Sequence, residues 1–301
     1  MKQTIYNVGV GALLLLLASC GNGLPVYDAT GTFESTEVTV SAEASGKLLH
    51  LNLEEGTRLQ VGEEVGLIDT VQLYLTKMQL GASLKSVESQ RPDLAKQIAA
   101  TKQQIATAQR EKRRVQNLLE AGAANRKQLD DWDAQIALLE RELAAQTSSL
   151  MNSTNSLTEQ GKSVIVQVAQ IEDQLSKCHV QSPINGTVLA KYTEAGELAS
   201  VGKPLFKVAD IDRMYLRAYI TSEQLAHVKL GDQVTVYSDY GAAEQKAYEG
   251  AVTWISDRSE FTPKTILTKD ERANLVYAVK IAVKNDGYLK IGMYGGAKWK
   301  K

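Results

Sequence analysis

Cysteine, histidine and aromatic side chains are scarce in this sequence, and each scarcity excludes something. The 301 residues hold two cysteines, three histidines and 6% aromatics. His50, His179 and His227 are scattered and share no metal-ligand spacing with a cysteine or carboxylate cluster, which argues against a metal site. Net charge is −1, and no long basic tract with interleaved aromatics occurs, so nucleic acid is not indicated as a partner. No G-x-x-x-x-G-K-[ST], no G-x-S-x-G and no paired metal motif is present. The chain therefore reads as a non-enzyme without a cofactor.

Val8 to Ala18 is an apolar run, too short to span a bilayer comfortably. It follows the positive Lys2 and ends in Leu17-Ala18-Ser19-Cys20. Small residues before a cysteine, after such a run, resemble the lipobox of bacterial lipoproteins. That resemblance implies a signal peptide over 1–19, cleavage before Cys20 and acylation of its thiol and new amine. Residues 20–30 then read as a flexible leash. With Cys20 acylated, Cys178 has no partner in its own chain, and an exported protein must rely on its cores. Cys178 reads as a small apolar residue at the end of a helix.

What is abundant is repetition. The stretch "SAEASGKLLHLNLEEGTRLQVGEEVGLID", 41–69, is echoed by "SPINGTVLAKYTEAGELASVGKPLFKVAD", 182–210. Gly46, Gly56 and Gly62 recur as Gly186, Gly196 and Gly202, each 140 positions later. Leu48 matches Val188, Glu54 matches Glu194, and Ile68 matches Val208. Asn185-Gly186 reads as a tight turn feeding a strand.

Between the copies the pattern is helical. Leu84, Val87, Leu94, Ile98, Thr101, Ile105, Ala108, Val115 and Leu119 fall on one heptad stripe, with Arg91 and Lys112 as polar entries. A second stripe runs Leu129, Trp132, Ile136, Leu139, Leu143, Gln146, Leu150, Ser153, Leu157, and resumes as Val164, Val168, Ile171, Leu175. A period of 3.5 is a coiled-coil seam. Gly122 suits the left-handed residue that ends a helix, and Asn125 with Gln128 forms a capping pattern for the next one. The region is an antiparallel hairpin with its tip near Gly122. Its arms, Val71–Ala121 and Asn125–Lys177, would each reach roughly 75–80 Å if fully helical. Pro92 and the run Asn152-Ser153-Thr154-Asn155 lie about equally far from the tip. They predict either a shared kink or, for Pro92, the start of a new helix with Arg91 outside it.

Two short β-rich copies flanking a helical hairpin resemble the split lipoyl-like domain of the membrane fusion proteins, the HlyD-type periplasmic adaptors of bacterial export systems. The resemblance implies a multidomain α+β chain: a lipoyl-like β-sandwich in two halves, 31–70 and 179–211, with a long α-helical coiled-coil hairpin, 71–178, inserted. A true lipoyl or biotinyl carrier would need an exposed lysine at the central turn, which the hairpin replaces; Lys47 and Lys191 lie elsewhere. The remainder, 212–301, alternates apolar and polar residues in "MYLRAYI", "QVTVYS", "EGAVTWIS" and "LVYAVKIAV", with one short helix at "SEQLAHV" capped by Ser222. It resembles the β-barrel domain of the same adaptors, and "EFTPK" with "LKIGMYG" resembles its ending.

The resemblance implies a homo-oligomer, a hexameric ring, anchored at the inner membrane through lipidated Cys20. It implies an inner-membrane transporter and a TolC-like outer-membrane channel as partners. The chain stops soon after "IGMYG", which leans the reading toward an ABC-type over an RND-type transporter. At the tip, adaptors that engage such a channel carry Arg, Leu four later and Ser eleven after the Arg. Arg114 and Leu118 match; Asn125 departs from Ser, though both cap helices. The bland alternatives are a solvated Arg114 and a seam Leu118. A lipid-anchored periplasmic coiled-coil scaffold with no transport role is the alternative function.

Overall fold

The computed structural model describes residues 27–239, 245–260 and 275–300. Cys20, the signal segment, residues 261–264 of "EFTPK" and most of the expected leash lie outside the described residues.

Strand β1 (Ala29–Ser41) leads into β2 (Gly46–Leu51), β3 (Arg58–Leu59) and β4 (Glu64–Ile68). Three helices follow: α1 (Val71–Ser89), α2 (Leu94–Glu120) and α3 (Arg126–Ser176). The chain returns as β5 (His179–Gln181), β6 (Gly186–Lys191), β7 (Leu198–Ala199) and the long β8 (Pro204–Thr221). It ends with α4 (Ser222–Leu225), β9 (Gln233–Ser238), β10 (Lys246–Glu260), β11 (Val276–Lys284) and β12 (Tyr294–Trp299).

The sandwich comes from the repeat. Its strands recur at the repeat's own offset: β2 as β6, β3 as β7, β4 as the start of β8. The copies do not fold separately. β2 pairs with β7, and β3 with β6, so each copy completes the other's sheet. One sheet runs β5-β4-β2-β7; the other carries β8, β6 and β3. Alternating side chains from both copies, among them Leu48, Ile68, Val188, Leu205, Phe206 and Val208, form one fully buried core. Cys178 belongs to it, wholly buried beside Val180.

β9, β10, β11, β8, β1 and β12 close into a six-stranded barrel, because β1 pairs with both β12 and β8. Met214, Leu216, Ala218 and Ile220 point inward from β8 with period two, against Phe33, Val236, Val279 and Ile281. β8 is continuous through position 212. Its register on β1 jumps between Ser35↔Met214 and Thr36↔Asp210, and this bulge turns the sheet from barrel to sandwich. The barrel thus takes its sixth strand from the first residues of β1, which the sequence reading had divided between leash and sandwich.

The stalk is the expected hairpin. Val87, Ile98, Thr101, Ile105, Ala108, Leu139 and Val164 are buried along the seam. Thr101 donates to the Gln146 side-chain oxygen at 3.0 Å, so the two polar seam positions satisfy each other. Lys112 is ion-paired across the arms with Asp133, and Lys77 with Glu172 at 2.7 Å.

Of the two readings of the weak point, the shared kink is overturned. The first arm does break: Asp93 caps α2 by accepting from the Lys96 amide at 3.2 Å, leaving Arg91 and Pro92 between helices. The second arm does not; α3 runs 51 residues straight through Asn152–Asn155. The Thr147, Thr154 and Thr158 hydroxyls donate to carbonyls four residues back at 2.7, 2.9 and 2.8 Å, a bond that does not favour the helix by itself; packing of the arm along the seam holds it through the run.

Candidate partner-binding site at the hairpin tip

The tip is built by two caps. Ala121 ends α2, and Gly122 takes φ +70, a conformation costly for a residue with a Cβ. The Gly122 amide donates to the Leu119 carbonyl at 3.0 Å and the Ala123 amide to the Leu118 carbonyl at 2.8 Å. This pair of bonds is a Schellman motif and satisfies the last carbonyls of α2. Asn125 opens α3 in an extended conformation, its side-chain oxygen accepting from the Lys127 amide at 3.1 Å. The bond goes to Lys127 rather than to Gln128, whose backbone amide bonds the Asn125 carbonyl at 3.0 Å.

The two caps hold a short, fixed turn at the end of a stalk about 77 Å long, taking α3 at ~1.5 Å per residue. Arg114 and Leu118 lie one turn apart on the same helix face. The Arg114 side chain is 75% exposed and only loosely paired, 3.8 Å from Glu111. Leu118 is 42% exposed, while Val115 and Leu119 beside it are half-buried on the seam side. Leu118 is therefore not a seam residue. Asn125 is exposed across the turn, with its oxygen engaged in the cap. Not all of the neighbouring basic run faces outward: Lys112 is half-buried and pairs with Asp133, whereas Arg110 stays exposed while donating to Thr107 at 3.1 Å. The sequence reading missed the Lys112–Asp133 brace. Its signal was a lysine on one seam opposite an aspartate two turns into the next arm.

Cys178 is a structural residue. Cys178 bonds the Gln174 carbonyl at 3.4 Å, and burial pushes its thiol up from the ordinary range, as for an inert packing residue. Among the described residues no group of three or more His, Cys, Asp or Glu could hold a metal ion. No helix of the described residues is long and apolar enough to cross a membrane.

The stalk carries a small, capped, exposed tip far from the buried β cores. Residues 36–211, more than half of the chain, match the family model "RND MFP, barrel-sandwich hybrid domain". The chain belongs to the membrane fusion proteins, the periplasmic adaptor family of bacterial efflux systems. Its sequence relatives include a UPF0194 membrane protein of Citrobacter koseri, 26% identical over 97% of this chain and 96% of that one. Another, of Yersinia enterocolitica, is 28% identical over 93% and 94%. In fold the chain is similar to MacA from Actinobacillus actinomycetemcomitans, with a TM-score of 0.57 at 22% identity over 90% of this chain and 78% of that one. It is also similar to a membrane fusion protein from Streptococcus pneumoniae, with a TM-score of 0.50 at 14% identity over 90% and 97%.

Proposed function

We propose that this chain is a lipid-anchored periplasmic adaptor, held at the inner membrane through Cys20, that joins an inner-membrane transporter to a TolC-like outer-membrane channel. The observation that carries the reading is the tip: Arg114 and Leu118 exposed together, off the seam, on a turn held by two caps. An arginine able to donate to carbonyls or carboxylates, beside an apolar anchor, is the residue pair a protein contact needs. Asn125 completes the triplet as the cap that keeps the turn in shape. The chain itself performs no catalysis in this reading, and copies assemble as a ring, six in the family's manner.

For the transporter we propose an ABC-type exporter. The matched family model carries the RND name instead, so partner class is the point of the test. Affinity purification of the full chain from membranes, with identification of the copurifying proteins, should yield an ATPase-coupled permease and an outer-membrane channel. Recovery of a proton-driven RND pump would overturn the ABC assignment alone. Recovery of neither transporter nor channel would leave the lipid-anchored scaffold in place of the adaptor.

A further inference from the structure

The outer wall of the barrel sets cations against cations. Met214, Leu216, Ala218 and Ile220 fill the core, so Arg213, Tyr215 and Arg217 face outward from β8. Their partners on the neighbouring β11 are Lys284, Ala282 and Lys280. Arg213 thus stands directly opposite Lys284, and Arg217 directly opposite Lys280. Like charges so placed destabilise a sheet. One pair is compensated: Arg217 is matched by Glu260 at 3.0 Å, and Glu34 lies 3.8 Å from Arg217 and 3.7 Å from Lys280. The other is not: among the described residues, the Arg213 and Lys284 side chains have no hydrogen bond or ion pair. The acids nearby are committed elsewhere. Asp212 pairs with Arg58 at 2.8 Å, Glu37 pairs with Lys207 at 2.9 Å, and the Asp210 carboxylate accepts from the Asp212 and Arg213 backbone amides at 3.2 and 3.4 Å.

A cleft opens over this wall beside the bulge of β1. Its volume is about 780 Å³, within the roughly 300–1,000 Å³ of small-molecule sites. Ala282, between Lys280 and Lys284 on the outward face, has a short side chain that leaves the room. Arg213, Tyr215, Trp254, Lys280 and Glu34 line the rest. Trp254 is 40% exposed, and the Lys280 ammonium lies 5.9 Å from its ring centre. An uncompensated guanidinium beside an indole and a phenol suits a ligand that is both flat and negatively charged. We infer that this cleft binds a small organic anion carrying an aromatic ring, with its charge on Arg213 next to Lys284 and its ring against Trp254. The bound charge offsets the repulsion between Arg213 and Lys284, so the ligand also stabilises the barrel. This inference goes beyond the export reading and stands or falls without it.

The test is calorimetric titration of the full chain in detergent with indole-3-acetate, a flat aromatic carboxylate. Saturable binding and a raised melting temperature are expected. Indole-3-acetamide, which keeps the ring without the charge, and acetate, which keeps the charge without the ring, should each bind about tenfold more weakly or worse. Arg213→Gln and Trp254→Ala should each weaken indole-3-acetate by about fivefold or more, with the circular dichroism spectrum kept. Trp254→Phe, which keeps a ring, covers the case in which Trp254→Ala fails to fold and should bind between the two. Lys85→Gln, an exposed cation removed from the stalk, should bind as the unaltered chain does. Absence of saturable binding at millimolar ligand overturns the proposal. So does equal binding of the amide or of acetate, a folded Arg213→Gln chain that binds unchanged, or a loss in Lys85→Gln as large as that in Arg213→Gln.

Discussion

Gly56 and Gly196 hold exchanged positions: the Gly56 amide donates to the Val188 carbonyl at 2.9 Å, and the Gly196 amide donates to the Leu48 carbonyl at 2.7 Å. Each glycine, 140 positions from the other, ties its own copy of the repeat to the opposite copy. The neighbouring bonds follow the same exchange. Gly62 donates to the Ser182 carbonyl and Gly202 to that of Ala42, both at 2.8 Å. Leu48 donates to Glu197 and Val188 to Thr57, both at 2.9 Å. The sandwich is a pseudo-two-fold object inside one chain, and neither copy can satisfy its backbone alone.

Glycine substitutions in this unit should therefore fall into two grades. Gly196 has φ +94 with open space where a side chain would stand, so Gly196→Ala should cost about 1–2 kcal/mol from backbone strain. A Cβ on Gly186 would lie 2.5 Å from the Ala209 carbonyl oxygen, so Gly186→Ala must also move a strand, at about 2–3 kcal/mol. Urea unfolding of both variants measures the order; equal losses would contradict it.

The stalk should be removable. The Ile68 amide bonds the Cys178 carbonyl at 2.9 Å, so the hairpin leaves and returns at one place. Replacing residues 71–176 with a short Gly-Ser linker, while retaining the buried Cys178, should leave a cooperative thermal transition and a strand spectrum. An unfolded product would show that the hairpin contributes to the sandwich's stability beyond linking its halves.

At the tip, Arg114→Asp combined with Leu118→Asp should abolish export and channel copurification. Losing an interface anchor costs about 1–4 kcal/mol of binding, about fivefold to nearly a thousandfold in affinity. Both side chains lie off the seam, so helicity should be unchanged by circular dichroism. Full export by a folded double variant would remove the tip as the contact.

Cys20→Ser should prevent acylation and release the chain from the membrane, or leave its leader uncleaved. Uptake of labelled fatty acid at the unaltered level would refute the lipid anchor.

Acid should weaken the barrel through Asp286, whose carboxyl is held below the ordinary range by the Lys246 ammonium and by the Tyr288 amide and Tyr248 hydroxyl. A lowered folded-state value gives stability that is present above the ordinary carboxylate pKa and lost as pH falls through the lowered one. Asp286→Asn should flatten the acid limb of the melting temperature against pH. The side chain is 39% exposed, so the effect should be small and should shrink with salt.

Much of this architecture follows from local information. The repeated glycines, the heptads on both arms and the Gly122–Asn125 turn are short-range patterns, and helix seams and caps are decided within a few residues. Arg114 and Leu118 could be found that way, but their orientation could not. Heptad spacing alone leaves Leu118 next to a seam. Only the packed pair of helices, with Val115 and Leu119 turned inward, puts it outside. The single break at Pro92 was undecidable for a similar reason: α3 survives its poor helix formers because the whole arm is packed on α1 and α2. The closing of the barrel by Ala29–Ser35 and the exchange of bonds between Gly56 and Gly196 join residues more than a hundred positions apart. Nothing in local propensity sets such a register; it is selected when two apolar faces are buried together, and so the sequence determined the parts and the tertiary structure decided their pairing.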